Sequence, residues 1–260
     1  MRLYAKYVSL LLKAQLQYKA SFLMTVLAQF IQPFALFAGI VLLFGRFGSI
    51  QGWTLYEVFI CYAVVGASFA IATCFARGFD SFDGMIRNGS FDRVLVRPRG
   101  TVLQVLGANF DLKRIGHLLQ AFIVLGVAIR GAGIPWDPAR VFLLAHMVLG
   151  GSLIFAGVYL LQAAAAFWTI EALEVANIFT HGIREHASYP LDIFPRWITV
   201  IFTFIIPYGT INYLPLRYLL GKMEGEGWLF ACVPLLGGLF ILPCIAVWRL
   251  GVRKYSSSGS

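Results

Sequence analysis

Four histidines, four cysteines and a few carboxylates are the side chains here that could hold a metal or act in catalysis. His117, His146, His181 and His186 lack the i, i+4 spacing of a helical metal pair. Cys61, Cys74, Cys232 and Cys244 lie in apolar runs, and no C-x-x-C occurs. They read as small buried side chains without a redox or metal role. There is no G-x-x-x-x-G-K-S/T, and Gly221-Lys222 lacks both the upstream glycine and the following hydroxyl residue. The chain therefore has no phosphate loop of its own. H-E-x-x-H and G-x-S-x-G are absent too. No nucleophile, base or metal cluster can be assembled for a membrane-embedded hydrolase.

Two segments carry a different chemistry. Residues 77–100, RGFDSFDGMIRNGSFDRVLVRPRG, interleave five arginines, three aspartates and several aromatic or aliphatic residues. As a passive loop this would be a solvated, positively charged connection. The apolar content suits a protein contact surface, where arginines and aromatics serve as anchors. Pro98 argues against a continuous helix through Arg97. Residues 187–221 contain prolines at 190, 195, 207 and 215. Pro207-Tyr208-Gly209 breaks the apolar part of this segment, which suits two short helices in a hairpin.

The elements that position these segments belong to a membrane. Hydrophobic residues make up 59% of the 260 positions and charged residues 13%, against about 25% charged in soluble domains. That excludes a disordered chain, a disulfide scaffold and an ordinary soluble enzyme. Uncharged stretches run between Lys19 and Arg46, Glu57 and Arg77, Arg114 and Arg130, Arg140 and Glu171, Arg196 and Arg217, and Glu226 and Arg249. A bilayer core needs roughly 20 apolar helical residues to cross it. The first stretch is too long for a signal-peptide core, and no small-residue cleavage site follows it. Pro33 is expected to kink it. Arg2, Lys6, Ser9, Lys13 and Gln17 form a polar stripe at helical spacing, as in a helix lying in the membrane interface. Gly150-Gly151 and Gly157 would permit close helix packing.

The net charge is +9, which in a soluble chain would suggest nucleic acid. Here fourteen of the 21 basic residues precede the first span, lie between the second and third, or follow the last. By the positive-inside rule both termini and the 77–114 connection are cytoplasmic, and no nucleic-acid partner is needed.

The run Tyr189-Pro190-Leu191-Asp192-Ile193-Phe194-Pro195-Arg196-Trp197 is followed by Pro207, Tyr213 and Arg217-Tyr218-Leu219-Leu220-Gly221. This order resembles the membrane subunit of ABC transporters of the ABC-2 type. Gly89-Ser90-Phe91-Asp92-Arg93-Val94-Leu95-Val96-Arg97-Pro98 and the closing Trp248–Tyr255 are similar to one subgroup, paired permeases encoded beside an ATPase, among them viologen- and drug-exporter-like systems. The resemblance covers nearly the whole chain.

It implies an all-α integral membrane fold with a single transmembrane domain over 1–260. Six spans are expected, at 22–44, 54–76, 110–130, 140–166, 170–189 and 227–248. An interfacial helix at 2–19, a cytoplasmic coupling segment at 77–100 and an outer re-entrant helical hairpin at 190–221 complete it. The implied function is a permease subunit of an ATP-driven exporter in the cell membrane. It would form its pathway with a second similar permease, or with another copy of itself. No cofactor belongs to this chain, because ATP and magnesium would reside on partner ATPase subunits. Arg87, Asp92, Arg93, Arg97 and Pro98 are the expected ATPase-coupling residues, with Phe91 and Leu95 as apolar anchors. His181, Arg184, Glu185 and His186 are expected to line the pathway or to form an intersubunit hydrogen-bond cluster, and His181 and Glu185 stand at i, i+4. Tyr189, Pro190, Asp192, Pro195, Trp197, Pro207, Tyr208 and Gly209 would build the outer hairpin. A secondary transporter built on an inverted repeat is the alternative, but no repeat is apparent.

Hydropathy alone would instead make 197–216 a span and 167–196 a cytoplasmic loop. The two arrangements differ in the side on which Asp192 lies. Asp192→Cys, probed with an impermeant thiol reagent, is expected to label in intact cells; labelling only after the membrane is opened would favour the other arrangement.

Overall fold

The computed structural model describes residues 2–169, 180, 182–222 and 228–256. The chain begins with α1 (Arg2–Gln17), which turns at Tyr18 into α2 (Lys19–Ile31). After Gln32-Pro33 the same span continues as α3 (Phe34–Phe47). Proline removes one rung of the helical ladder, and Tyr62 Oη donates to the Pro33 carbonyl at 2.8 Å. The first span is thus interrupted at its proline.

The central element is α4 (Leu55–Asp80), buried along most of its length. It starts at a capping box in which the Thr54 amide donates to Glu57 Oε2 at 2.8 Å. The chain then runs through α5 (Phe82–Arg87), α6 (Asp92–Leu95) and α7 (Thr101–Leu106). A 3-10 turn at Leu112–Arg114 leads into α8 (Ile115–Gly131). A helix running unbroken from Val102 into the membrane does not form. The intervening backbone is satisfied elsewhere: the Asp111 amide donates to the Cys74 carbonyl at 3.1 Å, and the Leu112 amide to Gln15 Oε1 at 3.1 Å.

Next comes α9 (Pro138–Ala165), whose Asp137 cap accepts from the Arg140 amide at 2.8 Å and whose first turn holds Pro138. Helices α9 and α8 both pack along α4, and α8 also packs on α2. Residues 182–187 are helical. They lead to α10 (Arg196–Val200), a π-helical turn at Ile201–Ile205, a 3-10 turn at Tyr208–Thr210, and α11 (Leu214–Leu219). The chain bends by 81° between 196–205 and 208–219. Ile206 is extended, at φ −120° and ψ 96°, because Pro207 disfavours a helical residue before it. The last span combines α12 (Trp228–Leu239), with Pro234 inside it, and α13 (Ile241–Lys254).

Five of these helical units are long and apolar enough to cross a bilayer, and the bent pair would make a sixth. Apart from one bridge between Ile50 and Trp53, the described residues contain no β-structure. The protein is an all-α, multi-pass integral membrane protein. Residues 170–179 and His181, which include most of the expected 170–189 span, lie outside the described residues.

Lipid removes most of the hydrophobic drive that would pull helices together, so small residues and close van der Waals contact hold them. Gly151 of α9 lies against Ser68 of α4. The Ser68 hydroxyl reaches the Val64 carbonyl of its own helix at 2.7 Å and the Val148 carbonyl of α9 at 3.1 Å. Gly116 of α8 meets the Val26 carbonyl of α2, and Gly78 of α4 meets the Val105 carbonyl of α7. A methyl group at either position would collide with backbone. Gly78→Ala is therefore expected to destabilise the purified protein by about 1–3 kcal/mol, read as a lower melting temperature. Gly84→Ala, at a glycine with open space around it, serves as the control and is expected to melt close to the wild type.

Candidate functional site

Segment 77–100 folds as a cap on the end of the bundle. Its base is aromatic. Phe82 and Phe91 pack edge to face at 5.0 Å, and Phe82 lies 4.8 Å from Trp248 of α13. Phe79, Phe167 and Tyr255 complete the cluster, with Phe167 at 5.1 Å from Trp248 and Tyr255 at 5.1 Å from Phe91. Trp248 Nε1 donates to Thr101 Oγ1 at 2.9 Å, which joins the cap to the last span. The buried Gln104 amide donates to the Val94 carbonyl at 3.1 Å and to the Arg99 carbonyl at 3.0 Å. It thereby closes the loop around Pro98. Gly89, at φ +65°, makes the left-handed turn between α5 and α6.

This base corrects one expectation. Phe91 is fully buried in this chain's own core, so its ring is not available as an anchor for another protein. The apolar surface presented outward is Leu95, 40% exposed, with Val96 beside it at 85%. Around that surface Arg87, Arg93, Arg97 and Pro98 are exposed. Arg87 approaches Asp83 at 3.6 Å in an open ion pair, the kind worth at most about 1 kcal/mol. Arg97 reaches Tyr7 Oη of α1 at 3.5 Å. Asp92 is half-buried, and its carboxylate lies near Tyr255. Burial first, and that carboxylate second, push the Tyr255 phenol above its ordinary pKa.

The expected pathway residues do not gather in one place. Arg184 turns toward α4, its guanidinium 4.6 Å from the centre of the Phe69 ring. Glu185 is exposed. His186 faces the bent segment, with its Nδ1–H donating to the Gly182 carbonyl at 2.7 Å and its ring 5.3 Å from Phe194. His181, and with it the His181–Glu185 pair, lies outside the described residues.

The bent segment encloses an apolar slot of about 310 Å³ between Ile183, His186, Trp197, Ile201, Phe202 and Ile206. Tyr208 is buried behind it, 6.1 Å from Phe202 and 5.0 Å from Phe155 of α9. Gly209 sits 2.9 Å from Thr203 Oγ1 and 3.1 Å from Leu191 Cδ1, measured from where a Cβ would stand. Pro190 is buried, Tyr189 half-buried, and Trp197 is 65% exposed. Pro195 precedes α10 as its cap residue. Asp192 accepts a hydrogen bond from Tyr213 Oη, which also accepts from Arg217 at 3.1 Å. Lys222 pairs with Glu57 at 2.7 Å and stands over the Trp53 ring at 4.4 Å, tying the end of the segment to the start of α4.

Trp248, Gln104 and Lys222 were not singled out from the sequence as site residues. Trp248 and the cluster around it left a signal, since aromatics collect near both ends of the cap. Gln104 left none, because one amide in an apolar run says nothing about where its bonds will go.

A stack of apolar helices, with an arginine-rimmed cap at one end and an apolar bent segment set against it, defines a polytopic membrane protein. Among the described residues no group of histidines, cysteines and carboxylates could hold a metal. A family model described as an ABC-2 family transporter protein matches residues 30–259, and the chain belongs to that family. It is a permease subunit of an ABC transporter, a transport component whose family associates with ABC ATPases. Comparisons with curated proteins and with solved structures found no match.

Burial separates the cap residues into base and rim. Phe91→Ala is expected to cost about 3–5 kcal/mol and to lower the melting temperature sharply. Leu95→Ala, at a half-open position, is expected to leave it close to the wild type.

Proposed function

We propose that this permease is the membrane half of an ATP-driven exporter and that its 77–100 cap is the surface on which a separate ATPase subunit docks. The observation that carries this reading is the division of the cap. An aromatic base is locked to α13, and a rim of Arg87, Arg93 and Arg97 around Leu95 and Pro98 is left open. Arginine beside exposed apolar surface is the composition of interaction hot spots. Among the described residues Arg93 has no ion pair, so it is free for an acidic partner. Asp92 sets the edge of that rim. ATP and magnesium would act on the partner chain, and this chain would contribute the lever. Because the base is rigid, displacement of the rim would be carried into α4 and α13 together.

In this reading both termini are cytoplasmic and the 190–221 segment re-enters from the outer side. The 81° bend and the polar ties at Asp192–Tyr213 and Glu57–Lys222 support a hairpin that is held in place while it covers the outer end. Trp197, on its exposed side, would meet lipid or substrate. A second permease, similar or identical, would complete the pathway. The largely exposed α2, whose residues include none that are buried, leaves an extended apolar face for lipid or that subunit.

Affinity purification from detergent-solubilised membranes tests the docking surface. The wild-type chain is expected to bring down a vanadate-sensitive ATPase activity. Arg93→Glu is expected to reach the membrane in normal amount and to recover about tenfold less of that activity, since like charge opposed across an interface costs more than 1 kcal/mol. Full recovery with Arg93→Glu would remove the cap from the role of docking surface.

A further inference from the structure

We propose that the elbow between α1 and α2 holds the anionic headgroup of a membrane phospholipid, with Lys113 as its counter-charge and the open face of α2 as the bed for its acyl chains. The proposal is independent of the ATPase-docking reading and needs only that α2 lies in the bilayer.

At Tyr18 the chain turns from α1 into α2, with φ −107° and ψ 72°. The inside of that turn is not filled. A cavity of about 350 Å³ opens there, lined among others by Leu11, Gln15, Tyr18, Phe22, Asn109 and Lys113. Its walls come from α1, from the start of α2 and from the stretch that leads into α8. Gln15 fixes these walls relative to one another, since its side chain bonds the Phe110 carbonyl and the Leu112 amide. The 3-10 turn that carries Lys113 packs on α2 itself.

Much of the polar lining is already committed. Both ends of the Gln15 amide are used in that tie. Asn109 Nδ2 donates to Ser81 Oγ at 2.7 Å. Arg114, next to Lys113, faces Asp111 at 3.3 Å and donates to Gln29 Oε1 at 3.0 Å. The Asp111 carboxylate is thus matched by Arg114. Lys113 is half-buried and makes no ion pair among the described residues. Tyr18 and Ser21 add hydroxyls to the same lining. An ammonium and hydroxyls around one cavity are donors suited to phosphate oxygens.

The neighbourhood selects what carries the phosphate. Helix α2 has no buried residue. Beside Phe22, the exposed Leu23, Leu27 and Ile31 stand at i, i+4 and i+8, a stripe that starts at the edge of the cavity. An acyl chain can lie along that stripe while its headgroup stays in the polar end. Lys19, exposed one turn before Phe22, adds a second cation there. Basic pockets beside transmembrane helices take anionic lipid headgroups in this way. A free phosphate would leave the stripe unused, and a second permease on the stripe would have no need of the polar cavity.

The test uses the full-length protein in phosphatidylcholine vesicles containing a little phosphatidylglycerol with a photoactivatable diazirine in its acyl chain. Crosslinks are mapped by mass spectrometry. The probe is expected to label 22–31 roughly fivefold more than the same diazirine on phosphatidylcholine, the scale of one lysine near a membrane surface. Lys113→Gln is expected to remove that preference and Lys113→Arg to keep it. Ala14→Trp fills the cavity from an exposed position on α1 and leaves every charge in place; it is expected to remove the preference too. Glycerol phosphate alone is expected not to compete, and competition by it would assign the cavity to a free phosphate and overturn the proposal. Unchanged preference in Lys113→Gln overturns the site. Unchanged preference in Ala14→Trp does the same, because the lipid is then drawn by surface charge without a cavity. If either variant splits a wild-type dimer on size exclusion while lipid labelling stays, a second copy covers this face and the proposal falls. If Lys113→Gln fails to reach the membrane, Ala14→Trp decides alone.

Discussion

The structure depends on one close approach, that of α9 to α4. In lipid the partner of an apolar helix is as apolar as the hydrocarbon it displaces, so contact has to be won by proximity. The Gly151–Ser68 contact achieves it, and the Ser68 hydroxyl then bonds to carbonyls of both helices. Once α4 is held against α9 and α8, its two ends fall into different apolar clusters. The half toward Leu55 packs with Phe44, Leu125, Met147 and Leu216. The half toward Asp80 packs with Phe91, Phe155, Tyr159 and Trp248. A single helix therefore joins the bent 196–219 segment to the arginine-rimmed cap.

The cap itself is unusual in how its residues are divided. Aromatic side chains that would be anchors on a flat surface are turned inward, and the arginines keep the exterior. The inward ring cluster spans four parts of the chain: α4, the 82–91 turn, the end of α9 and α13. Such a cluster is stiff because each ring is held edge to face by others. The segment is thus far more rigid than its glycines and arginines suggest.

Much of this was legible from the residues. Long uncharged stretches located the helices, because a bilayer demands about 20 apolar residues for each crossing. The Pro207-Tyr208-Gly209 break announced a bend, since proline cannot extend the helix and restricts the residue before it. The arginine-rich segment was visible as a surface. What could not be read was which of its apolar residues turn inward. Phe91 and Leu95 are four residues apart in a segment too short and irregular to show a helical stripe, and their opposite fates depend on Trp248, which is remote in sequence. The split between Arg184 and His186 was hidden for a related reason: composition placed both in a polar helix, but only the packing of α4 on one side and α10 on the other assigns each a neighbour.

The side chain of Gln15 has a consequence of another kind. Its amide donates to the Phe110 carbonyl and its oxygen accepts from the Leu112 amide, so α1 is pinned at the point where α8 begins. Tyr4 of the same helix donates to the Phe75 carbonyl at 3.3 Å. A basic amphipathic helix of this kind would lie at the headgroup level of the bilayer, and through these bonds α1 would set the height at which the cap stands above the lipid. The membrane surface would then serve as a datum plane for the whole cap end of the bundle. A thinner or thicker bilayer would raise or lower the arginine rim as a unit, changing its clearance without altering a single contact inside the bundle.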